Sequence, residues 1–150
     1  MKKEEKDLLI KDLCERLPYG VKMLFNNEHK FTLDQMNPRQ YSGKDGRGVI
    51  FDFGGKVYSI EDCKPFLRPM SSMTEKEKDD LLRFFSFPLG AMYFNSDWGY
   101  VEVFDCIDEV KIYINDIVGL IDWLNMNMFD FRGLIPKGLA LEAPEGMYSK

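Results

Sequence analysis

The sequence is poor in the side chains that do most enzyme chemistry. It has one histidine, His29, and three widely spaced cysteines, Cys14, Cys63 and Cys106, with no C-x-x-C motif. A single histidine leaves little room for a nucleophile with an oriented base or for a histidine-rich metal site. The odd number of dispersed cysteines argues against a disulfide framework and favours buried free thiols. We therefore expect no cofactor, no metal and no catalytic residue, and we interpret His29 as an exposed turn residue.

Long apolar runs are also missing from the sequence. No stretch approaches the roughly 18 consecutive apolar residues of a membrane-spanning helix. The first residues, MKKEEKDLLIKDL, mix acids with lysines and lack the apolar centre of a signal peptide. Hydrophobic residues nevertheless make up 45% of the 150 residues, which is ample for a packed core. These features predict a cytoplasmic protein of one domain or two very small modules, with no membrane contact.

Positive charge is scarce in the second half of the chain. Residues 1–69 carry 13 Lys and Arg against 11 Asp and Glu, and residues 70–150 carry 7 against 14, for a total of −5. Direct binding to a nucleic-acid backbone needs clustered cations, so we consider it unlikely. An acidic surface could instead mimic nucleic acid. The candidate acids for such an array are Glu102, Asp105, Asp108, Glu109 and Asp116.

Residues 1–69 predict one helix followed by short strands. Leucines four apart over residues 4–17 mark an amphipathic helix that Pro18 ends. A Gly54-Gly55 pair predicts a tight hairpin, because both residues tolerate positive φ. Prolines at both ends of the last strand should keep it at a sheet edge. The predicted strands are 21–25, 30–33, 49–53, 56–60 and 66–67. We predict a small five-stranded Src-homology-type barrel.

Residues 70–150 predict a C-terminal α+β part. Thr74 and Glu77 fit a capping box that opens a helix to about residue 85. Segments 92–94 and 100–104 then predict a second hairpin. Residues 105–114 fit either a strand or a helix face, and we favour a strand for 110–114.

A buried helix and a docked tail are predicted to end the chain. Apolar residues recur at helical spacing from Ile117 to Met128, while Asp122, Asn125 and Asn127 fill the other side. Gly133 and Pro136 prevent the helix from continuing. The expected anchors of the tail are Phe129, Phe131, Leu134, Ile135, Leu139 and Leu141.

Two runs resemble signatures of small uncharacterised proteins of Bacteroidetes genomes and their phages or prophages. They are KPFLRPMSSMTEKEKDDL, residues 64–81, and WLNMNMFDFRGLIPKGLALEAPEGMY, residues 123–148. Where the group is expected to carry a histidine pair, this chain has Asn127 and Met128, so no metal or acid–base role is carried over. The resemblance implies an accessory gene in a bacterial or phage context, and it implies no activity.

Candidate binding residues are few. Trp98, in the loop of the second hairpin, could be a binding anchor because tryptophan is enriched at interface hot spots, although a loop folded over the core is the commoner role. Asp130 and Arg132 could form a local ion pair that orients the tail, or a recognition point. The glycine run of residues 43–48 precedes a strand-like segment, which favours a strand connection over a phosphate loop.

The sequence therefore predicts a mixed α and β protein with a helix and small barrel over residues 1–69 and an α+β part over residues 70–150, possibly continuous. The leading hypothesis is a non-enzymatic protein-interaction module with Trp98, Asp130 and Arg132 as protein-binding residues. One alternative is an acidic inhibitor that mimics nucleic acid. Another is a small hydrolase with carboxylates converging between the two halves.

Overall fold

The fold mixes helices with an open six-stranded sheet, and an N-terminal helix precedes the sheet. The computed structural model describes residues 1–42, 46–84, 92–95, 100–103 and 114–148. The helices in these residues are α1 (Lys3–Arg16), α2 (Glu75–Phe84) and α3 (Ile114–Met126). The strands are β1 (Lys22–Phe25), β2 (His29–Ser42), β3 (Gly46–Asp52), β4 (Val57–Ser59), β5 (Cys63–Leu67), β6 (Met92–Asn95), β7 (Tyr100–Val103) and β8 (Leu141–Glu142). None of the helices so described is long and apolar enough to cross a membrane.

The chain forms two compact units. Unit 1 comprises residues 1–67 and 132–150, and unit 2 comprises residues 68–131. Unit 1 holds α1 and the six-stranded sheet, while unit 2 holds α2, α3 and the β6–β7 hairpin. The division predicted from the sequence, into residues 1–69 and residues 70–150, stays a prediction.

The sheet of unit 1 has the strand order β4-β3-β2-β1-β5-β8. The first five strands are antiparallel neighbours, as hairpin connections require, and β8 adds parallel to β5. The predicted edge position of the fifth strand is therefore wrong, since β5 pairs on both sides. Pro65 has no amide to donate, and it is tolerated because the pairing of β5 with β8 begins only at the next residue, Phe66.

Strand β2 is longer than predicted and is interrupted twice. Its register with β3 shifts between Leu33 and Gln35 and again between Asn37 and Tyr41. Such bulges bend a strand and increase its twist. A Cβ atom on Gly48 of β3 would lie 3.0 Å from the Ile60 side chain, so the third glycine of the run at residues 43–48 lets β3 pack closely against the 3₁₀ turn that begins at Ile60.

Helix α1 covers the sheet with a buried apolar and ionic face. Leu9 and Leu13 are fully buried, as their four-residue spacing predicts. Asp12 and Arg16 are also fully buried, and the Arg16 Nε atom donates to Asp12 Oδ2 at 2.7 Å. A carboxylate and a guanidinium can be buried together because each satisfies the other.

The tail of unit 1 docks on the sheet, which confirms the prediction that it is anchored. Leu134 and Leu139 are buried, and Leu141 pairs with Phe66 as part of β8. The Tyr148 hydroxyl accepts from the Lys22 amide at 2.9 Å and donates to the Phe66 carbonyl at 2.8 Å. It therefore bridges β1 and β5 beyond the last rung of their ladder.

Unit 2 is organised around a small apolar core. The buried members are Met73, Leu81, Leu124 and Phe129, with the partly buried Met70, Leu120, Trp123 and Phe131 packed around them. The predicted capping box is confirmed, because Thr74 Oγ1 accepts from the Glu77 amide and Glu77 Oε2 accepts from the Thr74 amide. The prediction that Asn125 lies on the polar side of its helix is wrong, since Asn125 is buried.

The structure gives both ends of the last helix and the two strands of the second hairpin. Helix α3 begins at Ile114, so this residue is helical and not part of a strand, while residues 105–113 lie outside the described ones. Met128 has φ of 59°, a left-handed conformation that ends the helix near the predicted position. Strands β6 and β7 pair antiparallel, which confirms the second hairpin, although its loop lies outside the described residues.

Candidate functional site

The β3–β4 hairpin carries the most unusual surface of unit 1, and an aspartate shapes it. Asp52 Oδ1 accepts hydrogen bonds from the amides of Gly54 at 2.9 Å and Lys56 at 3.0 Å. The Gly55 amide donates to the Asp52 carbonyl, and Gly55 has φ of 77°. The loop therefore has three residues and one left-handed glycine, instead of the predicted two-residue turn with positive φ at both glycines.

The same carboxylate is bound from the strand side. The Tyr58 hydroxyl donates to Asp52 Oδ2 at 2.9 Å. Hydrogen bonds from the Lys56 amide and the Tyr58 hydroxyl lower the pKa of Asp52 below its ordinary value of 3.8. Burial and the bond to Asp52 raise the pKa of Tyr58 to about 12. Asp52 is thus ionised and Tyr58 neutral across the physiological range, so titration of neither group breaks the bond between them at neutral pH.

The inner side of β4 is held by an aromatic stack. The Tyr58 ring lies 4.4 Å from the Phe31 ring, with an interplanar angle of 10°, and 4.9 Å from the Phe25 ring. The exposed His29 ring stacks on Tyr58 at 6.1 Å. Aromatic pairs at these distances are stabilising beyond the area they bury. The stack therefore fixes Tyr58 of β4 against Phe25 of β1 and Phe31 of β2.

The outward side of the hairpin is apolar and exposed. The Phe53 side chain is 75% exposed and that of Val57 is 53% exposed. Phe51, which is half-buried, pairs with Val57 across the ladder and therefore lies on the same face. Burying a phenylalanine is worth roughly 1.5–3 kcal/mol, and most of that is unrealised at Phe53. Exposed apolar residues grouped in this way mark interaction sites more often than isolated ones do.

Strand β4 also lies at an edge of the sheet that the described residues form. In the described part of the chain, β3 is the strand that pairs with β4, and it does so from one side. The Asp52 amide bonds to the Lys56 carbonyl, so Lys56 and Tyr58 direct their backbone groups toward β3. Alternation along the strand then directs the amides and carbonyls of Val57 and Ser59 away from β3. Such an edge is a template for another strand.

The predicted binding residues are distributed over both units. Trp98 lies outside the described residues. Asp130 is a buried residue of unit 2 whose amide donates to the Arg68 carbonyl at 2.8 Å. Arg132 belongs to unit 1, where its guanidinium pairs with Glu15 and lies 3.5 Å from Asp12 of α1. Arg132 therefore ties the tail to α1, and a local ion pair with Asp130 stays a prediction.

Other features singled out in the sequence have structural roles or lie outside the described residues. His29 is exposed, as predicted, but as the first residue of β2. Cys63 is a buried free thiol, as predicted, and burial raises its pKa to about 12, whereas the prediction of burial is wrong for Cys14, a free thiol that is exposed. Of the glycine run, residues 46–48 belong to β3 and the preceding three are not described. The described residues hold no group of three or more His, Cys, Asp and Glu side chains placed to ligate a metal.

The sequence pattern does not mark the hairpin as a binding site, because its glycines predict only a turn. In the Asp-x-Gly-Gly pattern of residues 52–55, the aspartate is the signal that could have pointed to this turn. Phe53 was assigned to a strand, where alternation gave no sign that its side chain would remain outside. Comparisons with protein-family models, with curated proteins and with solved structures give no match.

Proposed function

We propose that this protein is a non-enzymatic interaction module that binds another protein through the β3–β4 hairpin, as an accessory protein of a phage or mobile element. The observation that carries the proposal is the exposure of Phe53, at the tip of a hairpin that Asp52 and Tyr58 hold rigidly. An aromatic side chain has only two torsion angles to restrict, so it contributes contact area at little cost in conformational entropy on binding. The phage or mobile-element context rests on the two signature runs of the sequence alone.

The strand order supports the proposed Src-homology-type barrel. Five consecutive strands follow the order β4-β3-β2-β1-β5, and a 3₁₀ turn at Ile60–Asp62 separates β4 from β5. The long, bulged β2 could serve two sides of such a barrel, since bulges let one strand bend between them. Small barrels of this type often present aromatic residues or edge strands to partners, which is an argument by analogy of fold.

The two alternatives have no described geometry in their favour. The acids of an array that would mimic nucleic acid fall in residues 102–116, whose side chains lie outside the described ones. A hydrolase would need carboxylates with raised pKa values in a cleft, whereas in the described part of the chain the pKa values of the Asp52 and Glu77 carboxyl groups are lowered. Both alternatives therefore remain predictions of the sequence.

A capture experiment with matched variants tests the proposed function. Tagged protein is incubated with lysate of its own host at low and high salt, and bound proteins are identified by mass spectrometry. Val57→Ser is compared with Val118→Ser, since both valines are 53% exposed and Val118 lies on α3 of unit 2. Both substitutions are at the surface and should change stability by less than about 0.5 kcal/mol.

The expected result is a partner that wild type and Val118→Ser retain at both salts, and that Val57→Ser and Phe53→Ser lose. An apolar contact with backbone hydrogen bonds is little affected by salt. Equal capture by all four baits would overturn the assignment to the hairpin. A Lys- and Arg-rich partner that is released by high salt would favour the acidic inhibitor instead.

A further inference from the structure

We infer that the partner fitting the β4 edge is a second copy of this chain, with the two β4 strands paired antiparallel about a two-fold axis at Tyr58. This inference rests on the proposed function, because it uses the same hairpin as the contact surface. Two features of the β4 edge favour a second copy as its partner. The outward backbone groups match those of another β4 strand, and so do the flanking charges.

The backbone groups of the edge are complementary to themselves. A two-fold axis at Tyr58 places Val57 of one copy opposite Ser59 of the other, and Ser59 opposite Val57. These are the residues whose amides and carbonyls point away from β3. Directly opposed residues of this kind exchange both of their hydrogen bonds in an antiparallel ladder. A register shifted by one residue would oppose outward groups to inward ones and would lose these bonds, and an axis at Val57 or Ser59 would leave only one such pair within β4.

The charges flanking the edge are also self-complementary. Lys56 precedes β4 and is exposed, with its Nζ atom 5.3 Å from the Tyr58 ring centroid. Glu61 and Asp62 follow β4 in the 3₁₀ turn, and Asp62 is exposed. Glu61 is partly compensated, because Lys6 pairs with it at 2.7 Å. An antiparallel second copy brings Lys56 of each chain beside the acidic turn of the other, whereas a parallel arrangement would oppose like charges.

The two edges of the sheet differ in how they are protected. At the far edge, β8 has only two residues and Pro144 follows it closely, which limits further pairing. Strand β4 has no proline, and the nearby Phe53 and Val57 are exposed. Two joined β4 strands would make the Val57 side chains of the two copies diagonal neighbours on one face of the new ladder. Because the strand is short, the contact should be weak and dependent on concentration, below the roughly 1,000 Å² of a stable interface.

The first test removes one outward amide without disturbing the fold. Ser59 has φ of −76°, which proline adopts without strain, and its amide points away from β3. Purified full-length protein is examined by sedimentation over a concentration series. Wild type and Ser59→Ala should rise from 17.5 kDa toward twice that mass, whereas Ser59→Pro should associate about tenfold more weakly. Circular dichroism checks that all three are folded.

The second test is a charge swap that only the two-fold antiparallel arrangement explains. Lys56→Glu and Asp62→Lys should each weaken self-association, because each places like charges together in the paired copies. The double variant should recover it, since the signs are complementary again. Failure of the double variant to recover would contradict the proposed register.

The results of these tests can contradict self-pairing through β4 without contradicting the interaction module. A chain that stays monomeric at every concentration, yet captures a different protein through Phe53, overturns the self-pairing and leaves the interaction module standing. If Ser59→Pro and the charge variants associate as strongly as wild type, the contact lies elsewhere on the protein. That result also overturns the inference. A monomer that captures nothing overturns both.

Discussion

The Tyr58 hydroxyl donates a 2.9 Å hydrogen bond to Oδ2 of Asp52, so a residue of β4 fixes the residue that ends β3. The other carboxylate oxygen of Asp52 accepts two amides of the intervening loop. One aspartate therefore connects both strands and the loop of a hairpin whose tip presents Phe53. The rigidity of this tip is a property of the Asp52–Tyr58 pair, and it can be tested at each residue.

Removing the tyrosine hydroxyl should loosen the hairpin. Tyr58→Phe keeps the ring on Phe31 and removes the donor to Asp52, so the free energy of unfolding should fall by about 1 kcal/mol. The pKa of Asp52 should rise part of the way to 3.8, because the Lys56 amide continues to lower it. Denaturant unfolding and an NMR titration measure the two effects. Tyr19→Phe, at an exposed tyrosine, is the control, and a loss of the same size there would contradict the assignment.

Asp52 should contribute to stability in a pH-dependent way. Its pKa in the folded protein lies below the ordinary value, so its charged form is favoured by folding. The contribution is fully present above about pH 4 and is lost as the pH falls through the folded-state pKa. Asp52→Asn can still accept the loop amides but carries no charge. The stability difference between wild type and Asp52→Asn should therefore be constant from neutral pH to about pH 5 and shrink below about pH 4. A stability difference that grows as the pH falls would contradict a lowered pKa of Asp52 in the folded protein.

Glu77 should make the corresponding contribution in unit 2. Bonds from Arg68 at 2.6 and 3.0 Å are the main reason that the pKa of Glu77 is lowered from 4.5 to about 2. Glu77→Gln retains a residue that can cap α2, and it removes the charge that Arg68 binds. After allowance for solvent screening, it should cost on the order of 1 kcal/mol at neutral pH.

The pH profile of that loss identifies its cause. The advantage of wild type over Glu77→Gln should be complete above about pH 4.5 and should vanish as the pH approaches 2. Glu75→Gln is the matched control, because Glu75 pairs with Lys78 on the surface of the same helix. Its effect should stay within a few tenths of a kcal/mol. A loss that does not depend on pH would mean that packing, and not charge, is involved.

Tyr148 should act as a stabilising clasp on the sheet of unit 1. Tyr148→Phe leaves the Lys22 amide and the Phe66 carbonyl without the hydroxyl that bridges them. The expected loss is about 1–3 kcal/mol, measured by thermal or denaturant unfolding. The Lys22 amide should also exchange its hydrogen faster. Unchanged protection of that amide would show that water replaces the hydroxyl without loss.

Much of unit 1 could be predicted from local sequence patterns. The leucine spacing predicted α1, and the order and spacing of short apolar runs predicted β1, β3, β4 and β5 and their hairpin. The extent of β2 was missed because polar residues 37–42 resemble a loop, although β3 pairs with them. The edge position given to β5 was wrong because β8 is a two-residue strand formed by pairing that is distant in sequence.

The candidate site was less predictable for a physical reason. A sequence shows that Phe53 is apolar but not whether anything covers it, since coverage depends on the tertiary fold. Asn125 shows the converse, a polar side chain that the fold buries. Asp52 could have been singled out, because an aspartate two residues before a glycine favours a turn closed by its own side chain. Its bond to Tyr58 needed the register of β3 and β4.

Amide hydrogen exchange at Val57 and Ser59 is the most direct test of whether the β4 edge is the contact surface. In dilute, free protein both amides should exchange rapidly because they point away from β3, whereas the Tyr58 amide between them should be protected. Once the protein associates, at high concentration or with a captured partner, Val57 and Ser59 should become protected while Tyr58 is unchanged. If association leaves the exchange of Val57 and Ser59 as fast as in the free protein, the β4 edge is not the contact surface.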